Sequence, residues 1–305
     1  MKNVLVLMST FNGERFIDEQ LISLLNQKNI KLNILIRDDG SSDRTVSLLK
    51  KYKKKHPSIK LILGNNIGAK FSFLDLIHEA LKLNMKYDYY AFCDQDDYWK
   101  QEKLITAVNK LNRLDNNTPN LYIGQTQLVD SNLNYLKTKS LKINLTFEES
   151  LMIYCATGCT MVFNLKLLQK IGKKYPSYFV MHDTWVYQVC LALGGKVIFD
   201  NIPQILYRQH NNNVFGGKKN FIEVFKARVI RIFVKSDNER YNSAIALLND
   251  FNDELSVKNK SLLKNIKDYN SSIKKKLSII FSRRFVAKDL KNNFSFRIAV
   301  LFGIY

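Results

Sequence analysis

The sequence predicts an α/β fold whose mostly parallel sheet is flanked by helices, followed by a basic, mainly helical C-terminal extension. Three observations carry that reading. Apolar runs of strand length alternate four times with segments of helical periodicity before residue 112. Clusters of Gly, Asn, Asp and Ser mark the turns between them. After Gly216-Gly217 the alternation gives way to apolar positions at helical spacing with Lys and Arg between them.

Val4 to Met8 is an apolar run suited to a buried strand, and past Asn12-Gly13 the residues Phe16, Ile17, Leu21, Leu24 and Leu25 recur on one helix face. Leu32 to Ile36 is a second strand. Arg37-Asp38-Asp39-Gly40-Ser41-Ser42-Asp43 then offers several N-cap side chains to a helix carrying Val46, Leu48, Leu49 and Tyr52. Ile59 to Leu63 is a third strand, Gly64 to Gly68 a loop, and Phe71, Leu74, Ile77, His78 and Leu81 a third helical face. Tyr87 to Cys93 is the fourth strand, leading through Asp94-Gln95-Asp96-Asp97 to a helix with Leu104, Val108 and Leu111. Right-handed crossovers between such units place all these turns at the carboxyl ends of parallel strands, where open α/β sheets bind ligands. Ser9 to Asn12, Asp38-Asp39 and Asp94 to Asp97 are therefore expected to face one crevice.

The second half is less regular. Leu121–Val129 and Ala156–Phe163 suit strands, Leu165–Ile171 and Thr184–Leu193 suit helices, and Lys196–Phe199 and Ile205–Tyr207 suit two short strands. Beyond them Phe221, Val224, Phe225, Val229, Ile232 and Phe233 alternate with Lys226, Arg228 and Arg231. The chain is accordingly divided into a domain over 1–215 and a basic helical extension over 216–305.

A hydrophobic content of 46%, with only 12 Gly and 4 Pro, excludes a disordered or repetitive chain. The four cysteines lack the spacing of a zinc site or a disulfide framework, which fits reduced thiols in the cytoplasm. The first apolar run is too short for a signal peptide, and no run approaches the ~18 residues of a membrane span. A net charge of +20 implies polyanionic company such as nucleic acid, an anionic membrane surface or a phosphorylated substrate. Residues 218–305 hold 19 Lys and Arg against 8 Asp and Glu, so the extension is the basic part. Basic amphipathic helices suit either the cytoplasmic face of an anionic membrane, as a peripheral contact, or packing on their own domain. For a nucleic-acid-binding protein the chain lacks a zinc finger, RNA-binding or helix-turn-helix signature, and the acidic crevice would repel phosphates; nucleic acid is not expected as a partner. A nucleotidyltransferase would share the sheet and the acidic site, but Ser-Thr-Phe-Asn-Gly stands where its glycine-rich, lysine-bearing phosphate loop belongs.

Carboxylates crowded at a strand end raise one another's pKa unless a cation or hydrogen-bond donors neutralise them. Sites with one or two carboxylates that also take substrate phosphates suit Mg²⁺ or Mn²⁺. Asp94, Asp96 and Asp97 thus read either as a divalent-metal site for a phosphate-bearing ligand or as a solvated acidic turn capping the next helix.

Six further signals stand in order along the chain: Ser9-Thr10-Phe11-Asn12-Gly13, Asp38-Asp39-Gly40-Ser41-Ser42-Asp43, Asn66-Ile67-Gly68, the Asp-x-Asp motif within Asp94 to Trp99, Thr157-Gly158-Cys159-Thr160 with His182-Asp183-Thr184-Trp185, and Tyr207-Arg208-Gln209-His210. Over roughly residues 1–215 they resemble the inverting nucleotide-sugar glycosyltransferases of family 2, in the rhamnosyltransferase-like branch, with the Rossmann-like GT-A fold. The resemblance implies transfer of L-rhamnose or another hexose from a dTDP- or UDP-sugar to a glycan or lipid-linked glycan of the cell surface. It implies that Asp38 meets the pyrimidine edge, that Ser9 and Phe11 line the base and ribose pocket, and that Asp94 contacts ribose or the donor sugar. Asp96 and His210 would bind the divalent metal, Mg or Mn, and Arg208 would assist at the diphosphate. Asp183 would be the general base that takes the acceptor hydroxyl's proton. His182 stands where the family usually has an acidic residue, and Phe11 replaces a frequent tyrosine.

Overall fold

The computed structural model describes residues 1–138, 141–209 and 238–305. The four N-terminal strands are β1 (Lys2–Thr10), β2 (Ile30–Asp38), β3 (Ile59–Leu63) and β4 (Tyr89–Cys93). Helices α1 (Ile17–Leu25), α2 (Thr45–Lys55) and α3 (Ala69–Lys82) follow the first three, and α4 (Lys103–Leu111) follows β4 through the two-residue strand β5 (Tyr98–Trp99). β1 pairs in parallel with β2 on one side and β4 on the other, and β2 pairs in parallel with β3. Thr10 lies opposite Asp38, and Met8 lies opposite Cys93, so all three turns leave the sheet along one edge.

The second half adds β6 (Asn120–Val129), β7 (Tyr135–Thr138), β8 (Val162–Asn164) and β9 (Lys196–Arg208), with helices α5 (Phe147–Ser150), α6 (Leu165–Ile171) and α7 (His182–Ala192). The sheet runs in the order β3-β2-β1-β4-β8-β6-β9-β5, with β7 paired to β6. The long β6–β9 pair is parallel, whereas β8 runs antiparallel to both β4 and β6.

Two expectations change. The stretch Ala156–Phe163 is not one strand: Gly158–Thr160 form a 3-10 turn, and the strand is confined to Val162–Asn164. The first residue of that turn, Gly158, must be glycine because it lies against α7, where an added Cβ would stand 2.6 Å from His182 Nε2. The two short strands expected at 196–199 and 205–207 are one strand, Lys196–Arg208. Its register against β6 shifts between Gly124 and Thr126, and that irregularity accommodates Pro203, which donates no ladder hydrogen bond.

Alternation along the strands divides the core into two layers. Val4, Val6, Met8, Ile34, Ile36 and Ala91 face α1, α2 and α4, while Leu5, Leu7, Leu35, Tyr90 and Phe92 face α3, α6 and α7. Apolar residues at successive positions of β1 and β4 are thus explained by a sheet covered on both faces.

Beyond residue 238 come α8 (Glu239–Asp250), α9 (Val257–Lys267), α10 (Ile273–Ile280) and α11 (Leu290–Phe302). They share the second layer: Leu247, Leu263, Ile266, Phe296 and Tyr305 belong to the same cluster as Phe92, Phe163 and Trp185. Polar ties reinforce the seam, with Ser177 N donating to Asp250 at 2.8 Å and the Tyr305 hydroxyl donating to Leu151 O at 3.0 Å. The division at 215/216 and the stripe Phe221–Phe233 lie outside the described residues. Among the described residues, no helix is long and apolar enough to cross a membrane.

Phe92 is fully buried at the centre of this layer, with ring centroids 5.4 Å from Phe73, 5.0 Å from Phe163 and 4.9 Å from His182. Phe92→Ala is expected to cost about 3–5 kcal/mol of unfolding free energy, since three rings cannot collapse into the space left. Urea denaturation of both proteins checks it; a loss below about 1 kcal/mol contradicts this view of the core.

Candidate active site

The turn after β1 and the turn after β2 are bonded into one unit. Asp38 is buried, and its carboxylate accepts from Thr10 Oγ1 (2.9 Å), Ser41 N (2.9 Å) and Ser41 Oγ (2.6 Å). Asn12 takes a left-handed φ of 47°, donates its N–H to Ser41 Oγ and accepts from Ser42 N. Gly13 N donates to Thr45 Oγ1, and Asp43 accepts from Glu14 N and Thr45 N.

The third loop is joined through Asp39, whose carboxylate accepts from Ile67 N (3.0 Å) and Gly68 N (2.8 Å) and pairs with the Arg37 guanidinium. Arg37 also meets Asp75 at 3.3 Å. Ser9 Oγ shares a 2.7 Å hydrogen bond with Ser72 Oγ on α3, and Phe11 stands 42% exposed at the mouth of the crevice.

The acidic turn after β4 locks onto the same edge. Gln95 accepts from Phe11 N and donates to Phe11 O, both at 2.9 Å, and fills the space that a Cβ on Gly13 would need. Ligand-type atoms of Asp94, Asp97 and Cys159 lie within 4.8 Å of one another. Burial raises the Asp94 carboxyl to about 7, and the nearby Asp96 and Asp183 charges push the same way. Asp97 is 1% exposed and is raised well above the usual carboxylate range by burial and by the Asp96 and Asp94 charges. Burial, then the charges of Asp97 and Asp94, raise the Cys159 thiol well above its usual range, and the thiol donates a hydrogen bond among the carboxylates. The hard carboxylate oxygens fit Mg²⁺ or Mn²⁺; the protonated thiol does not.

Two cations brace this turn from within. Lys103 is 1% exposed, its Nζ lies 3.2 Å from the Trp99 ring centroid, and burial lowers its pKa to about 7 against the pull of Cys93, Cys159 and Asp97. The Arg208 side chain is wholly buried over the Phe16 ring. Its Nε donates to Asp96 O (2.8 Å), Nη1 to Ser131 O and Nη2 to Glu19 (2.7 Å), while its backbone N–H donates to Asp97 (3.2 Å). The Arg208 guanidinium is thus engaged by protein groups and positions the backbone of Asp96.

Asp183 sits in the first turn of α7, accepting from Gly158 N (3.2 Å) and Thr184 N (2.6 Å). Gly158, which Asp183 holds, precedes Cys159, whose Sγ lies with Asp94 and Asp97, so Asp183 stands beside the acidic turn, and its charge helps to raise the Asp94 carboxyl. His182 is 5% exposed, stacks on Phe73 with centroids 3.9 Å apart and has no hydrogen-bond partner at either ring nitrogen. Ser9 and Asp38 thus stand at the ends of β1 and β2, Phe11, Asp94 and Asp96 in the turns after β1 and β4, and Asp183 in the first turn of α7, while His210 lies outside the described residues. Sequence reasoning missed Arg37, Gln95, Lys103, Cys159 and Glu19. Of these, Arg37, Gln95 and Cys159 stand inside quoted turns and motifs, whereas Lys103 and Glu19 do not.

Burial holds the His182 imidazole down at about 4, against an ordinary 6.5, with the Asp183 charge opposing. The unfolded imidazole takes a proton first, so its contribution to stability is complete above pH 6.5 and is lost as pH falls from 6.5 toward 4. Denaturant titrations between those limits are expected to show His182→Gln with a shallower acid dependence, by up to about 1.4 kcal/mol per pH unit. Identical slopes would contradict a buried neutral imidazole. Arg208→Lys is expected to lose about 1–3 kcal/mol, because a single ammonium cannot serve partners arranged around a fork.

The sequence model described as "Glycosyl transferase family 2" matches residues 5–172. The chain is 31% identical over 234 residues to the dTDP-rhamnosyl transferase RfbG of Shigella flexneri, covering 72% of this chain and 77% of that protein. It is 26% identical to an uncharacterized glycosyltransferase of Rickettsia typhi, covering 73% and 69%. Among solved structures, S. aureus TarS 1–349 in complex with UDP-GlcNAc superposes with a TM-score of 0.56 at 14% identity, covering 100% of this chain and 93% of that one. That last likeness concerns the fold, which is of the GT-A type. With the turns after β1, β2 and β4 gathered on one sheet edge and the family match spanning those three, the chain belongs to glycosyl transferase family 2 and is a glycosyltransferase.

Proposed function

We propose that the enzyme moves L-rhamnose or another hexose from a dTDP- or UDP-sugar to a hydroxyl of a glycan or lipid-linked glycan in cell-surface polysaccharide synthesis, by a single inverting displacement. The observation that supports this reading is the Asp183 carboxylate, held by the Gly158 and Thr184 backbone N–H groups beside the cluster of Cys159, Asp94 and Asp97. The 31% identity to a protein named as a dTDP-rhamnosyl transferase supports the choice of sugar and nucleotide.

In this reading Asp38, Ser9 and Phe11 form the nucleoside pocket, and Asp94 meets ribose or the donor sugar. Thr10 and Ser41 fix the Asp38 carboxylate, so it presents one orientation to a pyrimidine N–H. Asp183 takes the acceptor hydroxyl's proton as its oxygen bonds to the anomeric carbon from the face opposite the nucleoside diphosphate. The bond from that carbon to the phosphate oxygen breaks, and its electron pair leaves with the diphosphate. A divalent cation held by Asp96, with His210, would supply neutralisation of that leaving charge when bound. Arg208 serves it indirectly, by fixing the Asp96 backbone. A lipid-linked acceptor would bring the enzyme to the cytoplasmic face of a membrane.

A panel of dTDP- and UDP-sugars, scored with Mn²⁺ or Mg²⁺ for thermal stabilisation and for product, tests this. Saturation with the true donor is expected to stabilise the fold by about 2.7 kcal/mol at a hundredfold excess over Kd. Asp183→Asn is expected to lower kcat by about 10²- to 10⁴-fold while keeping the donor-induced shift. Asp96→Ala is expected to lose the metal-dependent part of that shift, and full turnover by either variant overturns the assigned roles.

A further inference from the structure

The C-terminal helices leave an apolar surface uncovered. On α10 and at its end, Ile273, Leu277 and Phe281 are 64%, 40% and 77% exposed. Their spacing of four residues puts them on one stripe, opposite the buried Ile279. On α11, Leu290, Phe294 and Leu301 are 82%, 69% and 44% exposed, again on one stripe and turned away from the buried Phe296, Ala299 and Val300. The two helices lie side by side, with Lys276 Nζ donating to Leu301 O at 3.2 Å. Both bury their opposite faces in the same core, so the two stripes open onto a common outer surface.

That surface is set in positive charge. Residues 272–305 contain eight Lys and Arg against one acidic residue, Asp289. Lys274, Lys275, Lys288, Lys291 and Arg297 are exposed around the stripes. Large apolar side chains ringed by cations match a bilayer, whose headgroups take the charge and whose acyl boundary takes the rings. A second copy of the chain would set two such basic surfaces against each other, and a nucleic acid, whose bases stack on aromatic rings, offers no matching partner to the aliphatic Ile273, Leu277 and Leu290 of the stripes.

We infer that α10 and α11 form a peripheral docking face for an anionic lipid bilayer, with Phe281 and Phe294 as inserted anchors and the surrounding lysines as headgroup contacts. The inference rests on surface chemistry and is independent of donor, metal and acceptor.

Flotation of the full-length protein with phosphatidylglycerol–phosphatidylcholine vesicles, compared with phosphatidylcholine alone, tests it without any substrate. Binding is expected only with the anionic vesicles, and weakening between about 0.1 and 0.5 M salt. Phe281→Ser combined with Phe294→Ser, and separately Lys274→Glu combined with Lys275→Glu, are each expected to weaken partitioning by about tenfold or more. Melting temperatures equal to the parent's identify the loss as one of lipid contact. Equal binding to neutral vesicles, no binding to anionic ones, or unchanged partitioning of both double variants overturns the inference. Self-association abolished by the two serine substitutions, without lipid binding, assigns the face to a second copy and overturns it too.

Discussion

Three carboxylates within four residues stand at the end of β4, one of them buried and two half-buried, and the surroundings of that turn are arranged around their repulsion. Two unit charges about 4 Å apart interact by about 4 kcal/mol at an effective dielectric near 20, a large share of a domain's net stability of about 5–15 kcal/mol. The fold meets this in three ways. Asp97 is raised well above the usual carboxylate range, the Cys159 thiol donates among the carboxylates, and Lys103 lies beneath them against Trp99. What is left for a ligand to neutralise is the charge around Asp94 and Asp96, which opens toward Asp183.

The same economy organises the crevice. Side chains of one turn bond to the backbone of another: Gln95 to Phe11, Asp39 to Ile67 and Gly68, Ser41 to Asn12. These bonds order loops that have few apolar contacts of their own, which lowers the entropy that a ligand between them would have to remove. Asp39 does this work beside Asp38, which explains two adjacent aspartates with different surroundings: Asp38 bonds within its own turn and to Thr10, and Asp39 faces Arg37 and the third loop.

The four βα units were legible because each strand is apolar on both faces and each helix on one, periods that survive in sequence. The end of each strand, and therefore the site's edge, followed from that order. Less regular parts were hidden for physical reasons. β9 carries Asp200, Asn201 and Pro203 across its irregular centre, so a continuous strand reads as two. The turn at Gly158 reads as strand because its tertiary setting, against His182 and Asp183 of α7, is not contained in the local sequence. Arg208 stood in a recognisable motif, yet its partner Glu19 is 189 positions away and its burial over Phe16 is a tertiary fact. Lys103 gave no signal, since a lysine in an amphipathic helix ordinarily points to water.

The basic helices are coupled to the reactive edge through α5. Glu149 accepts from Lys288 N at 3.1 Å, Arg284 pairs with Glu148 at 3.0 Å, and Tyr305 donates to Leu151 O. From Leu151 the chain runs directly to Gly158, whose N–H holds the Asp183 carboxylate. α7, which carries Asp183, is itself clasped by Ser243 of α8 through Gln188 at 2.7 Å. Residues on both sides of Asp183 therefore depend on helices that lie after the sheet in sequence. Such helices could not be removed as a separate appendage without exposing Trp185 and Leu151 and loosening the turn that orients the carboxylate. The extension is part of the machinery that sets Asp183 in place, and this is why it shares one apolar layer with the sheet.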